Sequence, residues 1–109
     1  MNNTIKIVEI TEDHIKFNDN STIYYTYVQD CCEYNYADFM QLQDTGIEQE
    51  TFTLPLIFEK VEGQGFRFGN KGKMYFVPCY SEQDGWYNDT VDIVYNGQVV
   101  IDNLEAEIR

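Results

Sequence analysis

Apolar and polar residues alternate along several stretches of the chain, and this alternation predicts β-strands. His14–Phe17 and Thr22–Tyr27 both alternate, and the residues 18–21 between them read Asn-Asp-Asn-Ser. A two-residue period places successive side chains on opposite faces of a half-buried strand, and clustered Asn, Asp and Ser favour a turn. The pattern therefore predicts a hairpin in this part of the chain.

A second hairpin is predicted by the dipeptide Asn96-Gly97, which lies between the apolar segments 91–95 and 98–102. Asn-Gly is preferred in two-residue type I′ turns because both central positions need positive φ. The predicted register pairs Ile93 with Val100 and Val94 with Val99, so both faces of the hairpin carry apolar groups. We therefore expect this hairpin at the centre of a sheet that is covered on two sides.

One short helix is predicted over residues 36–44. Asn35 is a suitable N-cap residue, and Gly46 follows just past the expected end. Tyr36, Phe39 and Met40 would share one face at helical spacing, which favours packing of the helix against a sheet.

The fold class expected from these patterns is α+β, formed by a single domain over residues 1–109. Further strands are predicted at 54–62, 66–68 and 73–80, with Pro78 at a strand end or a sheet edge because proline lacks an amide donor. Aromatic residues make up 16% of the chain, which also favours strands. The expected architecture is a mainly antiparallel sheet of roughly six to eight strands with the short helix packed on it.

The formal net charge is −12, and the charges are unevenly distributed. No Lys or Arg occurs between Phe17 and Glu59, whereas most of the positive charge falls in Lys60–Lys73. Such a field repels nucleic acid and anionic lipid and attracts basic protein surfaces. We therefore expect no direct contact with nucleic acid or membrane, and a basic protein surface as the partner. The alternative is that the charge serves only solubility.

The sequence also carries an expectation about location. No apolar stretch is long enough to span a bilayer, and Met1–Thr4 lacks the basic and apolar regions of a signal peptide. The three cysteines are an odd number, which fits a reducing compartment better than a disulfide framework. A cytoplasmic protein is therefore expected.

The adjacent cysteines Cys31 and Cys32 are the most distinctive feature of the sequence. On a strand they would point to opposite faces and could not both hold one metal ion, and their spacing matches no metal-binding motif. We expect structural thiols, one in the core beneath the helix and the other at most partly exposed, with no metal or other cofactor. The alternative is a small thiol or hydrolytic enzyme, in which Cys31 or Cys32 acts with His14 and Asp30 orients the imidazole.

The leading candidate for a binding site is an acidic face on and beside the predicted helix. Burial of the apolar helix face would turn its carboxylates outward, away from the cations of Lys60–Lys73. The candidate partner-binding residues are Asp30, Glu33, Asp38, Asp44, Glu48 and Glu50.

A second candidate site is the loop over residues 79–89, which mixes aromatic and acidic side chains. Its candidate residues are Asp84, Trp86, Tyr87 and Asp89. Such mixtures occur in sugar sites, and oxygen clusters bind calcium, but the spacing here matches neither pattern. The alternative is that Trp86 covers the end of the core.

The segment Gln29–Tyr34, with the motif Asp-Cys-Cys-Glu, resembles a family of short, uncharacterised bacterial and phage proteins. In that family the motif is followed by an acidic helix, a Pro-Ile or Pro-Leu strand and a late Trp/Tyr-Tyr loop. The corresponding segments of this chain are residues 36–44, 54–57 and 85–87, in that order. The resemblance covers most of the chain, although relatives often have His or Glu before the motif, where this chain has Tyr27 and Val28.

This family has no established activity, so the resemblance implies only a phage or mobile-element setting, in which small acidic proteins often bind host proteins. Together with the charge, it leads us to expect a non-enzymatic accessory or inhibitor protein. Its expected target is a basic surface of a host protein, one candidate being a surface that normally holds nucleic acid.

Overall fold

The computed structural model describes residues 3–109, and its regular structure is almost entirely β. In chain order the strands are β1 (Thr4–Ile5), β2 (Ile7–Ile10), β3 (His14–Phe17), β4 (Thr22–Thr26), β5 (Tyr34–Ala37), β6 (Phe52–Thr53), β7 (Ile57–Val61), β8 (Gly65–Asn70), β9 (Lys73–Glu82), β10 (Thr90–Tyr95), β11 (Gln98–Glu105) and β12 (Glu107–Ile108). Two 3-10 turns, Phe39–Leu42 and Ile47–Gln49, are the only helical segments between residues 3 and 109.

The strands form three sheets. One is an antiparallel five-stranded sheet in the order β11, β10, β4, β3, β2. The second holds β12, β9, β8 and β7 in that order, with β5 also paired to β9, and only its β12–β9 pair is parallel. β1 and β6 form the small third sheet.

Buried side chains from all three sheets form one hydrophobic core. Phe52 of the small sheet meets Phe17 of the first sheet edge-on, with ring centroids 6.1 Å apart, and lies 5.9 Å from the ring of Phe68 in the second sheet. Aromatic side chains bury a large apolar area each, so a few of them can connect neighbouring sheets. The aromatic content of the sequence is used here to hold the sheets together.

The predicted α+β class is wrong, because the helix over residues 36–44 is not formed. Tyr34–Ala37 is instead strand β5, which pairs antiparallel with β9. Asn35 and Ala37 are buried while the two tyrosines lie on the other face, so the segment follows the two-residue period of a strand. The chain then makes one 3-10 turn, and the fold is all-β, with twelve strands across residues 3–109. In the described part of the chain, no helix has the length and apolar character needed to cross a membrane.

The two predicted hairpins are both formed, and the second differs in register. β3 and β4 form the first. In the second, Asn96 and Gly97 have φ of 52° and 82°, and Val94 lies opposite Val99 as expected. A β-bulge then shifts the pairing, so that Ile93 lies opposite Ile101 and not Val100. β11 is a sheet edge that exposes Val99 and Val100, so only β10 has the interior position expected for the whole hairpin.

Strand β9 connects the core to the candidate site described below. It runs through Pro78 without a break, whereas a strand end or a sheet edge was expected for this residue. Pro78 is the last residue of β9 that pairs with β8, and from Cys79 onward β9 pairs with β5. This change of neighbours leads the second half of β9 away from β8 and toward the loop that follows Glu82.

Candidate functional site

Two loops that are distant in sequence lie side by side and form the candidate site. Residues 27–33 connect β4 to β5, residues 83–89 connect β9 to β10, and we call the two loops together the tip. The Nδ2 group of Asn88 donates a hydrogen bond to the carbonyl of Val28 at 2.9 Å, which joins them. Asn88, Val28 and Asp30 also line one surface cavity of about 340 Å³ between the loops.

The loop over residues 83–89 is fixed by the side chain of Gln83. Its Nε2 group donates to the carbonyl of Asn88 at 2.8 Å and to the hydroxyl of Ser81 at 2.6 Å. Its Oε1 atom accepts the backbone amide of Tyr87 at 2.8 Å. One amide side chain thus spans the loop and links it to the end of β9.

Asn35 is the buried centre of this polar network. Its side chain is fully buried, and its Nδ2 group donates to the carbonyls of Asn88 and Thr90 at 2.9 and 3.1 Å. Its Oδ1 atom accepts the Ser81 hydroxyl at 2.5 Å. A buried polar network whose members are all paired rigidifies the structure around it, so β5 holds the loop after β9 in place.

Glu33 fixes the other loop from inside. Glu33 is only 1% exposed. Its carboxylate accepts hydrogen bonds from the backbone amides of Asp30 at 2.7 Å and Cys31 at 2.8 Å. Desolvation raises the pKa of this carboxyl, but hydrogen bonds from backbone amides of residues 30–33 outweigh it and hold the pKa below its usual value. The prediction that Glu33 lies on an exposed binding face is wrong. Its carboxylate is buried and holds the Cys31-Cys32 turn instead.

The lowered pKa of Glu33 makes the order of this loop depend on pH. The ionised carboxylate stabilises the loop above the ordinary value of 4.5, and we expect that stabilisation to be lost as the pH falls through the lowered pKa. Amide signals of Asp30 and Cys31, followed by NMR from neutral to acid pH, should report the change. Glu33→Gln should place both signals near their acid positions already at neutral pH, whereas Asp30→Asn should leave the transition in place. Signals in Glu33→Gln that match the parent at neutral pH would contradict this role.

The tip presents large apolar side chains to solvent. Val28 is 84% exposed and Trp86 is 82% exposed, Cys31 and Cys32 are exposed as well, and so is Tyr34 of β5 next to the tip. The alternative that Trp86 covers the end of the core is therefore wrong. Exposed apolar groups that lie together mark interaction sites more often than singly scattered ones do, and the Asn88–Val28 hydrogen bond holds the loops of Trp86 and Val28 side by side.

The acidic candidates fall into two groups and do not form one contiguous face. Asp30 lies in the tip with Asp84 and Asp89, whereas Glu50 forms an ion pair with Lys73, the first residue of β9. The tip follows Glu82, the last residue of this ten-residue strand, so the two groups lie at opposite ends of about 30 Å of strand. The tip thus combines Asp30 with the second set of candidates, Asp84, Trp86, Tyr87 and Asp89.

The remaining acidic candidates lie outside the tip, along the segment between β5 and β6. Asp44 and Glu48 are exposed there, and the half-buried Asp38 accepts a hydrogen bond from Gln41 at 3.3 Å. The expected separation of acids from the cations of Lys60–Lys73 is also incomplete. Arg67 pairs with Glu59 at 3.0 Å, Lys60 pairs with Glu62 at 3.4 Å, and Lys73 pairs with Glu50.

The cysteines differ from their predicted state. Cys31 and Cys32 are joined by a disulfide and both are exposed, so neither is a buried structural thiol beneath a helix. They lie in a loop and not on a strand, and the turn between them brings the two sulfurs together. Cys79 is the free, buried cysteine, and burial raises the pKa of its thiol to about 12. A thiol with such a pKa stays protonated and is a poor nucleophile at neutral pH.

His14, the base of the enzymatic alternative, contacts Glu9 and not the cysteines. Its Nε2 atom lies 2.5 Å from a carboxylate oxygen of Glu9, and no hydrogen bond joins it to Cys31 or Cys32 within residues 3–109. Across the same residues no group of three or more His, Cys, Asp or Glu side chains is placed to hold a metal ion. The tip therefore consists of two fixed loops that expose apolar and acidic side chains.

Neither a family model, nor a curated protein, nor a solved structure matches this chain. The resemblance of Gln29–Tyr34 to short bacterial and phage proteins stays a prediction.

The residues that build the tip were not all predicted from the sequence. Asn35 was interpreted as a helix cap, and Ser81, Gln83 and Asn88 were not singled out. The available signal was the segment Tyr34–Ala37, whose alternation of Tyr with Asn and Ala follows a strand period and places Asn35 on the inward face. A buried asparagine in a strand needs partners, and these come from the neighbouring loop.

Proposed function

We propose that this chain is a non-enzymatic acidic binding protein that engages a basic surface of another protein through the tip. The observation that carries the proposal is the pair of side chains Val28 and Trp86, more than four-fifths exposed on two loops that hydrogen bonds fix side by side. Tryptophan is among the residues that dominate the energy of interfaces when it enters a pocket of the partner. Loops that are already ordered lose little entropy on binding.

The charge defines the kind of partner. With a net charge of −12 and with Asp30 and Asp84 exposed in the tip, the chain attracts a surface whose Lys and Arg side chains surround an apolar pocket. The resemblance to phage and bacterial proteins supports a mobile-element setting, with the partner a host protein. A host surface that normally holds nucleic acid has this chemistry, and occupying it would make the chain an inhibitor.

The enzymatic alternative has less support. A thiol enzyme centred on Cys31 or Cys32 needs a thiolate beside a base, whereas the two sulfurs are bonded to each other and His14 contacts Glu9. We therefore place the function in binding.

Capture from a bacterial lysate tests the proposal. The immobilised chain should retain a basic protein at low salt and release it as salt rises, because screening shortens the range of the attraction from about 10 Å at 0.1 M to about 3 Å at 1 M. Trp86→Ala should lose most of the captured protein. Asp30→Lys with Asp84→Lys should slow association of the purified partner more than it speeds dissociation.

The matched comparison is Asp44→Lys with Glu48→Lys, which changes the net charge equally in the segment outside the tip. This pair should slow association less than the pair in the tip does. The proposal fails if no protein is retained, or if Trp86→Ala and the tip pair leave the retained protein unchanged.

A further inference from the structure

Beside the tip lies a pocket of about 300 Å³ whose walls are tyrosines and carboxylates. Tyr34 and Tyr36 are two positions apart on β5 and share a face, and their rings stack with centroids 5.0 Å apart and planes 26° apart. Tyr25 of β4 lines the same pocket, and burial together with the neighbouring Tyr34 raises the pKa of its hydroxyl. Two strands from different sheets thus hold the aromatic walls in place.

The polar lining of the pocket is acidic. Glu12, Asp38 and Glu82 contribute carboxylates, and no Lys or Arg is among the lining residues. Within residues 3–109 none of these three carboxylates forms an ion pair. Glu82 lies opposite Tyr34 on β9, and burial together with the nearby Glu82 carboxylate raises the pKa of the Tyr36 hydroxyl. The pocket therefore brings three carboxylates, none of them in an ion pair with another of residues 3–109, beside aromatic faces.

An arginine of the chain itself stacks on a tyrosine next to the pocket. The guanidinium carbon of Arg109 lies 4.0 Å from the centre of the Tyr80 ring, and Tyr80 is itself 5.7 Å from Tyr36. A guanidinium stacks on aromatic faces and can pair with a carboxylate through two parallel hydrogen bonds, whereas a lysine ammonium cannot do both. Arg109 stacks on Tyr80 and is close enough to Tyr36 to act on the pKa of its hydroxyl, but among residues 3–109 it forms no ion pair with the three carboxylates of the pocket.

We propose that the pocket formed by Tyr25, Tyr34 and Tyr36 with Glu12, Asp38 and Glu82 binds an arginine side chain of the partner protein. This inference rests on the proposed function and names the basic group that the partner supplies beside the tip. The volume of the pocket, its aromatic walls and its unpaired carboxylates all match a guanidinium on a flexible side chain. Trp86 and the pocket would then contact two neighbouring features of one partner surface.

A set of blocked tripeptides tests the pocket without the partner. The probes are acetyl-Gly-Arg-Gly-amide, the same peptide with Lys, and the same peptide with citrulline, which keeps the shape of arginine without its charge. The arginine peptide should bind saturably with a dissociation constant on the order of a millimolar. Its side-chain methylene protons should shift upfield in NMR spectra, because they lie over aromatic rings. The lysine peptide should bind about three- to tenfold more weakly, and citrulline should not saturate.

Variants of the chain locate the binding. Tyr34→Leu and Glu82→Gln alter exposed residues, and each should lower the affinity for the arginine peptide about three- to tenfold. Tyr24→Leu and Glu48→Gln change the same residue types outside the pocket and should leave the affinity unchanged. Circular dichroism and thermal melting should show that all four variants keep the fold.

The possible results separate this inference from the proposed function. Equal affinity for arginine and lysine peptides, absence of the upfield shifts, or equal loss in the control variants would overturn the arginine pocket. If a partner is nevertheless captured in a Trp86-dependent way, the proposed function stands without the pocket. If the arginine peptide binds as expected and no protein is captured, the pocket stands and the proposed function fails.

Discussion

Gly65→Ala is expected to destabilise the protein by more than about 3 kcal/mol, a large part of the stability of an ordinary domain. Gly65 opens β8 between two partners, Val61 of β7 and Pro78 of β9, and its φ is +156°. A Cβ atom at this position would lie 2.1 Å from the carbonyl oxygen of Val77 and 2.8 Å from the Cα atom of Pro78. Both are backbone atoms of β9, so no side-chain rotation can relieve the overlap and the two strands would have to separate.

Denaturation by urea, followed by circular dichroism, measures this effect. Gly63→Ala is the matched control, because Gly63 also has positive φ, at +76°, but a Cβ there meets nothing within 4 Å. Gly63→Ala should lower the free energy of unfolding by only about 1 kcal/mol, the ordinary penalty of a left-handed conformation for alanine. Equal transition midpoints for the two variants would show that β8 and β9 do not approach each other as closely as described.

Asn35→Ala is expected to lower the free energy of unfolding by about 2 to 4 kcal/mol and to loosen the tip. The substitution removes both the donor for the carbonyls of Asn88 and Thr90 and the acceptor for the Ser81 hydroxyl, in a place with no solvent access. Buried groups left without partners cost more than the hydrogen bond itself contributes. The loop over residues 83–89 should therefore lose its fixed position while the core sheets persist.

Two measurements distinguish this from a general loss of stability. Chemical denaturation gives the free energy, and amide hydrogen exchange under native conditions should show faster exchange across residues 83–90 than across β8. Asn18→Ala is the control, since Asn18 is exposed and its side chain accepts one hydrogen bond, from the amide of Lys6 at 3.2 Å. Asn18→Ala should lower the free energy of unfolding by less than about 1 kcal/mol. Unchanged exchange in the 83–90 loop of Asn35→Ala would refute the role assigned to this network.

Features of the fold that depend on neighbouring residues were predictable from the sequence. Asn96-Gly97 forms its turn because two adjacent residues alone determine whether positive φ is tolerated. The register beyond the turn was not predictable to the residue, since Val99, Val100 and Ile101 are all apolar and any of them could face the core. The bulge that places Ile101 opposite Ile93 is a result of packing in the finished sheet.

The short segment after Cys32 shows why the helix was predicted wrongly. Tyr36, Phe39 and Met40 fit a helical period, and Tyr34 and Tyr36 fit a strand period, so the pattern by itself supports both. The choice is made by β9, which offers a free edge from Cys79 to Glu82, and by loop carbonyls that need the Asn35 amide. These partners are more than forty positions away in sequence, as the spacing of 46 between Asn35 and Ser81 illustrates.

The candidate site was predictable in its parts and not in its assembly. Asp30, Asp84, Trp86, Tyr87 and Asp89 were singled out as two separate sites, and the structure brings them into one. Glu33 was indistinguishable from an exposed acid in the sequence, because only the folded turn shows that its carboxylate meets the amides of residues 30 and 31. The tyrosine pocket depends on β4, β5 and β9 together and has no continuous motif.

The parallel pairing of β12 with β9 determines how the protein should be attached in an experiment. The amide of Arg109 donates to the carbonyl of Ser81 at 2.9 Å, so any peptide joined after Arg109 starts beside Tyr80 and the end of β9. An affinity tag, a display fusion or a sensor-chip anchor at that position would crowd the tip. The resulting loss of affinity would then be misread as weak binding by the protein itself. Lys71, exposed in the turn between β8 and β9, lies at the far end of β9, and a single Lys71→Cys handle there would leave the tip facing solution.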